Sequence, residues 1–364
     1  MRDNNNAWRP ESQDTLNAVE DVIDSGRRKK KKNFFEANML PLKGDSGRER
    51  ARKIIFDMLV LVMVGSIAVL TWWVGIDPWM HSQNERMIAD MRPTWEYEYE
   101  EPGNSPDNPP ENGGEDGTTP TAPRQVRRLS FDELFAINHE VVAWLYAPGA
   151  NIDLPIVQTA NNNFYLYRDL QGRPSRYGNP FMDWRNRIGG DEMSTNLIIY
   201  GHHMRNGTIF SRLTNFRNPE HVRRNPLVTL MLPSGDIWEY KIFAVLNING
   251  RPEHDNGFAF AVNTPEFPNE ANFDGFIRQL AQRTEVQTGV DVRWGDYLLT
   301  LQTCIYEFPD QFLYVVARRV RPGENNTVDR NQIRRNPNPR HPQELFNRRG
   351  QTNPFRDAER WFPG

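Results

Sequence analysis

Hydrophobic and polar positions alternate with three different rhythms along the chain, and each rhythm predicts a different kind of segment. Residues 58–76 (MLVLVMVGSIAVLTWWVGI) are 19 consecutive uncharged residues, apolar on every side of a helix. At 1.5 Å per residue such a run crosses about 30 Å of hydrocarbon. With Ile54, Ile55 and Phe56 extending it past Asp57, the pattern predicts one transmembrane helix over 54–76. Trp72, Trp73 and Trp79 suit its outer interface. A core helix would be apolar on one face only, and no small-residue cleavage site follows, so the span reads as a retained anchor.

From residue 128 onward the rhythm shortens to period two. Strands are predicted over 141–146, 151–158, 197–200, 227–232, 238–247, 297–303 and 313–319, the first two separated by Ala147-Pro148-Gly149-Ala150. Helical spacing is rarer. Ser130-Phe131-Asp132-Glu133 has the form of a capping box opening a short helix through His139, and residues 208–216 and 271–283 repeat apolar positions every three or four residues. Many strands and few helices predict an all-β barrel or sandwich with helical insertions. The third rhythm is none at all. Residues 96–124 (EYEYEEPGNSPDNPPENGGEDGTTPTAPR) and the stretch after Val320 are too polar to offset the entropy of ordering them. The predicted organisation is a basic segment over 1–53, the span at 54–76, an acidic Pro/Gly-rich linker over 77–127, a single globular domain over 128–320 and a disordered Arg/Asn/Pro-rich tail over 321–364.

Charge orients this plan. The 44 Lys and Arg against 47 Asp and Glu give a net charge of -3, which argues against a dedicated nucleic-acid binder, but the average hides segregated blocks. Arg27 to Lys32, then Arg48, Arg50, Arg52 and Lys53, precede the span, whereas Asp77, Glu85, Asp90, Glu96 and Glu98 follow it. The positive-inside rule then predicts a single-pass plasma-membrane protein with a cytoplasmic N-terminus and an extracellular domain. Residues 12–26 carry Leu16, Val19, Val22 and Ile23 at helical spacing ahead of the basic run. That segment can meet anionic membrane lipid, although topology alone accounts for its charge.

Chemistry enters through a single cysteine. One Cys excludes an internal disulfide and a multi-Cys zinc site, and no cofactor or metal is called for. In residues 296–306 (DYLLTLQTCIY), period-two geometry puts Thr300, Gln302 and Cys304 on one face and ends the strand at the thiol. A lone Cys is often only a small buried apolar residue. A second apolar strand, residues 196–204 (NLIIYGHHM), ends at Gly201, His202 and His203, and imidazole is the base or proton shuttle that thiol chemistry requires near neutral pH. Adjacent His202 and His203 diverge on a strand, so they do not form a metal pair. His81, His139, His221, His254 and His341 show no ligand spacing. A papain-like protease would place its Cys before its His, and an L,D-transpeptidase would join the two in one short motif.

The stretches NHEVVAWLYAPGANIDLPIVQ, NNNFYLYRDL, GNPFMDWRN, NLIIYGHHMRNGTIF and YLLTLQTCIYEF, in this order, resemble class B sortases, the membrane-anchored cysteine transpeptidases of Gram-positive bacteria. The resemblance covers residues 129–320. It implies an eight-stranded sortase-type β-barrel, with the helix at 271–283 as the insertion before the cysteine strand, Cys304 as nucleophile and His202 as the catalytic histidine. It also implies the reaction. Cys304 attacks a threonine carbonyl in a C-terminal sorting signal, holds a thioester, and an amine of a cell-wall precursor or a pilin resolves it.

One position departs from that family. The family's arginine after the cysteine aligns with Phe312 in CIYEFPDQFLYVVARRV, and Arg318 lies six residues further along the strand. Three substitutes are open: Gln311 as a neutral substrate and oxyanion donor, an arginine from elsewhere (Arg168, Arg173 or Arg176), or none. The last would be an impaired sortase-like domain that binds sorting signals or partner proteins without efficient turnover. Glu307 and Asp310 read as solvated loop acids, and Asp183, Trp184 and Arg185 as either groove lining or a structural turn.

Overall fold

The computed structural model describes residues 33–39, 41–98, 124–128, 130–190 and 192–364. The chain divides into two units, Met1–Ile76 and Asp77–Gly364. In the first, helix α1 (Phe34–Asn38) precedes helix α2 (Gly47–Thr71), which Ser46 caps by accepting a hydrogen bond from the Glu49 N–H; a π-helical turn, Trp72–Ile76, follows. Leu61, Val62, Val69 and Val74 on this segment are all well exposed. Among the described residues it belongs to the one helix long and apolar enough to cross a membrane. An uninterrupted apolar surface of that kind is suited to lipid rather than water.

The second unit is built on a closed eight-stranded barrel. Its strands are β3 (Val141–Ala147), β4 (Ile152–Val157), β5 (Phe181–Met182), β6 (Asn196–Tyr200), β7 (Leu227–Met231), β8 (Ile237–Asn249), β10 (Leu298–Ile305) and β11 (Gln311–Arg319), in the spatial order β10-β11-β8-β7-β3-β4-β5-β6. Only the β4/β5 and β6/β10 contacts are parallel. Alternation sends Leu197, Ile199, Leu299, Leu301, Leu313 and Val315 to the interior. The outer face is apolar as well. Helix α6 (Glu270–Arg283) lays Phe273, Phe276 and Leu280 against Leu246, Ile248, Tyr314 and Val316. On another side, helices α3 (Asp77–Asp90) and α4 (Phe131–Ile137) bring Ile88, Phe131 and Leu134 onto Trp144, Val157 and Phe181. Both faces of these strands are therefore buried, which is why several read as continuous apolar runs.

Four expectations need correction. Ser130 precedes α4 but makes no side-chain cap bond, so the capping box is not formed. Residues 208–216 do not form an α-helix; a 3-10 segment, Ser211–Arg217, takes their place, followed by α5 (Pro219–Arg224). The linker assigned to 77–127 is partly folded. It contains α3 and strand β1 (Thr94–Glu98), which pairs with β2 (Arg124–Arg128), while residues 99–123 lie outside the described residues.

The fourth is the tail. Residues 321–364 pack on the barrel rather than trailing as disordered chain: Ile333 and Leu345 are buried, and Trp361 enters the aromatic cluster of Phe260, Phe267 and Phe276. Strand β12 (Arg334–Arg335) pairs with β9 (Val286–Gln287), and helix α7 (Gln343–Arg348) follows. A few widely spaced anchors, with Arg340 donating to the Glu359 carbonyl at 2.6 Å, order a segment whose average composition is polar.

Candidate active site

The parallel ladder between β6 and β10 builds the site. Its register pairs Leu197 with Leu299 and Tyr200 with Gln302, and the Gly201 N–H continues it by donating to the Gln302 carbonyl at 3.1 Å. Two residues beyond that last pair come His202 on one chain and Cys304 on the other; strands paired in this way lie about 4.8 Å apart. Gly201 is required between strand and histidine, because a Cβ there would fall 2.5 Å from the Phe210 ring.

The histidines have different work. The Leu166 carbonyl lies 2.7 Å from His202 Nε2. A carbonyl can only accept, so Nε2 carries the proton and Nδ1 keeps its lone pair in the neutral ring. By the same reasoning His203 Nδ1, 2.8 Å from the Cys304 carbonyl, donates to it and ties the histidine loop to the cysteine backbone. Tyr306 closes this tie by donating to the His203 carbonyl at 3.3 Å. Tyr167, also exposed, stands 6.0 Å ring to ring from His202.

Cys304 is half-buried on the outer face of the barrel wall. Burial, and then the Asp310 carboxylate, push its thiol above the ordinary range. Phe312 pairs with it directly across the β10/β11 ladder. Gln311 is not a neighbour of the thiol. The ladder has no bulge there: Gln311 pairs with Ile305, faces inward and is 1% exposed. Its carbonyl oxygen accepts from the Glu307 and Phe308 N–H groups at 2.9 and 3.2 Å, and its amide nitrogen donates to Asn247. The expectation of an oxyanion donor at Gln311 is thereby corrected; this side chain braces the loop after Cys304.

The other arginines are engaged. Arg173 pairs with Asp169 at 2.7 Å and Arg176 with Asp77 at 2.9 Å, while Arg168 stacks over Phe164 and donates to the Gly172 carbonyl. Arg318 is buried at the far end of its strand, bonded to Glu324. The loop acids are not free: Glu307 pairs with Arg217 at 2.6 Å and Asp310 with Arg251 at 2.5 Å. Asp183 is fully buried. Burial opposes its ionisation, yet hydrogen bonds from Arg185 and Tyr200 hold it below the usual carboxylate range. It fixes Tyr200, two residues before His202, at 2.6 Å, which makes that turn structural. Sequence reasoning missed Arg217, which also grips Glu285 at 2.8 Å, and the Leu166 carbonyl. A backbone carbonyl leaves no side-chain signal to find. Among the described residues no group of three His, Cys, Asp or Glu side chains is placed to hold a metal ion.

No family model matches the chain. A curated protein named Sortase B from Listeria monocytogenes is 26% identical over 256 residues, 70% of this chain and 92% of that protein. A second Sortase B, from Staphylococcus aureus, is 24% identical over 53% of this chain and 76% of its own length. Among solved structures, Clostridium perfringens sortase B aligns with a TM-score of 0.47 at 29% identity, over 53% of this chain and all of that one. By its curated relatives, the chain is a sortase B-like protein.

Proposed function

We propose that this sortase-type transpeptidase acts through Cys304 and His202 on the C-terminal sorting signal of surface proteins, outside the membrane that its apolar helix spans. The observation that supports the reading is the β6/β10 register, whose last pair, Tyr200 with Gln302, lies two residues before His202 and Cys304, with His202 Nε2 engaged by the Leu166 carbonyl. The thiol proton passes to His202 Nδ1 as Cys304 Sγ bonds to the threonine carbonyl carbon. His202 then returns that proton to the departing amine as the peptide C–N bond breaks, leaving a thioester. An incoming amine of a wall precursor or a pilin reverses the sequence. The raised thiol suits this order, because the cysteine rests protonated and ionises only as His202 accepts.

The basic block before the apolar helix and the acids after it support a cytoplasmic N-terminus. A second reading has one observation in its favour: an aromatic, Phe312, stands across from the nucleophile where the resembled family has an arginine. In that reading the domain binds sorting signals with little turnover. Detergent-solubilised full-length protein incubated with a sorting-signal peptide library separates the two. Transpeptidation predicts a peptide adduct on Cys304 by intact mass, abolished in Cys304→Ala and slowed on the order of 100-fold or more in His202→Ala. Measurable peptide binding with neither adduct nor cleavage would establish the binding-only reading.

A further inference from the structure

The tripeptide Arg-Asn-Pro occurs at 217–219, at 224–226 and again at 335–337. The fold brings its three arginines to one place. Arg217 ends the 3-10 segment, Arg224 ends α5 and Arg335 ends β12, and with Thr214, Asn218 and His221 they line an open cavity of ≈ 570 Å³. In each copy the asparagine side chain is bonded to nearby main chain. Asn218 accepts from the Glu220 N–H at 3.0 Å, Asn225 donates to the His221 carbonyl at 3.1 Å and Asn336 to the Thr284 carbonyl at 2.8 Å. The proline that follows cannot continue a helix or a ladder, so each arginine stands at the pinned last position of its element.

Charge on this face is one-sided. Arg217 is committed, holding Glu285 at 2.8 Å and Glu307 at 2.6 Å. Arg224 is exposed and donates one N–H to the Glu220 carbonyl at 3.2 Å, and Arg335 is exposed with no side-chain hydrogen bond among the described residues. Neither meets a carboxylate. Over residues 211–224 and 330–335 the one acid is Glu220, and Arg223 takes it. Arg330, whose carbonyl accepts from Arg223 at 3.2 Å, adds a further exposed guanidinium beside the cavity. Like charges gathered without counter-charge repel one another, and an arriving anion relieves that repulsion.

We propose that this cavity is a docking site for a linear polyanion whose charged units are phosphate groups. The oxygens of a phosphate point to the corners of a tetrahedron, so guanidinium forks arriving from two segments of chain can both meet it. The two oxygens of a carboxylate lie in one plane and suit one fork. Arg224 and Arg335 supply the two forks. Arg330 takes a neighbouring phosphate, which makes a chain of them a better occupant than a single ion. The site is whole only with the tail in place, because Arg335 is delivered by the β12/β9 pairing and by the Asn336 N–H, which donates to the Glu285 carbonyl at 2.9 Å. Occupancy therefore holds the tail on the barrel. Nothing in this depends on the chemistry at Cys304.

Phenylglyoxal labelling of guanidinium groups in the detergent-solubilised full-length protein, read arginine by arginine by peptide mass spectrometry, tests the site. Inorganic polyphosphate is the probe. At saturation it should slow labelling of Arg224 and Arg335 about tenfold and leave Arg278, exposed on α6, unchanged. Poly-glutamate of equal charge should protect them no more than about twofold. In Arg335→Gln, protection of Arg224 should also fall to about twofold, because the two groups share one phosphate. Continued slow labelling of Arg340, 5% exposed in the docked tail, shows that this variant keeps its fold. Equal slowing at every exposed arginine, or none at Arg224 and Arg335, would overturn the proposal. Protection by poly-glutamate as strong as by polyphosphate would overturn it in favour of an acidic polypeptide.

Discussion

The two ends of the β10/β11 hairpin lie on one face of the barrel and have opposite electrostatics. At the far end, Arg318 pairs across the ladder with Leu298 and is 1% exposed. It donates to Glu324, which Lys241 also reaches at 2.6 Å, and to the Asp291 carbonyl at 3.1 Å. At the near end, Cys304 faces Phe312, and the charge that bears on the thiol is Asp310. One hairpin thus holds a guanidinium where it fastens the first turn of the tail and an aromatic where the chemistry is proposed. The difference teaches that an arginine on the right face of the right strand is no substitute for one at the right height, since each residue advances about 3.4 Å along a strand.

The largest effect expected from disturbing this contrast is at the far end. Arg318→Ala leaves the Glu324 and Lys241 groups half-paired in a partly buried site, and breaking such a pair costs about 3 kcal/mol. Urea unfolding of the detergent-solubilised protein should show that loss with a fall in midpoint. An unchanged midpoint would mean that the Arg318 cluster contributes nothing net. A charge-neutral Arg318→Met should lose less than Arg318→Ala, because the methionine keeps the apolar stem packed.

Second comes the near end. Phe312→Arg places a guanidinium across the ladder from Cys304, where it can meet both the thiolate and the developing oxyanion. Removal of one oxyanion donor in other enzymes costs on the order of 100- to 1000-fold in rate. Because Asp310 would share the new charge, the expected gain in acylation is about tenfold. Adduct formation timed by intact mass measures it. No gain would show that the site does not want for a cation there and that its donors lie elsewhere.

How much of this was legible in the sequence can be judged at the same hairpin. Seven of the eight barrel strands and α6 follow from period-two and period-3.6 patterns, and the candidate pairing of Cys304 with His202 is read from two strand ends carrying a thiol and an imidazole. Strand β5 was not legible: two residues, Phe181 and Met182, are too few for any periodicity. Gln311 was misjudged because its service near Cys304 required a bulge, whereas the ladder runs unbroken through Cys304 and Phe312. A one-residue difference in register reverses the face. The tail misled for another reason. Composition averages Ile333, Leu345 and Trp361 into a polar segment, yet three anchors at wide spacing suffice when a formed barrel already offers their sockets.

The smallest effect concerns Asp310, and it isolates the electrostatic half of the contrast without moving the backbone. Asp310 sits at φ 52°, a left-handed conformation that asparagine tolerates as well as aspartate. Its carboxylate raises the Cys304 thiol because it disfavours a second negative charge nearby, so Asp310→Asn should lower the pH at which the thiol ionises. Iodoacetamide alkylation of Cys304 followed against pH reads this directly: at any pH below the wild-type midpoint the asparagine variant should react faster. Arg251 pairs with Asp310 at 2.5 Å and partly cancels its charge. Arg251→Ala should therefore shift the alkylation curve the opposite way, to higher pH. If both variants superimpose on the wild type, the thiol is governed by burial alone, and the acid bias of the near end has no consequence for Cys304.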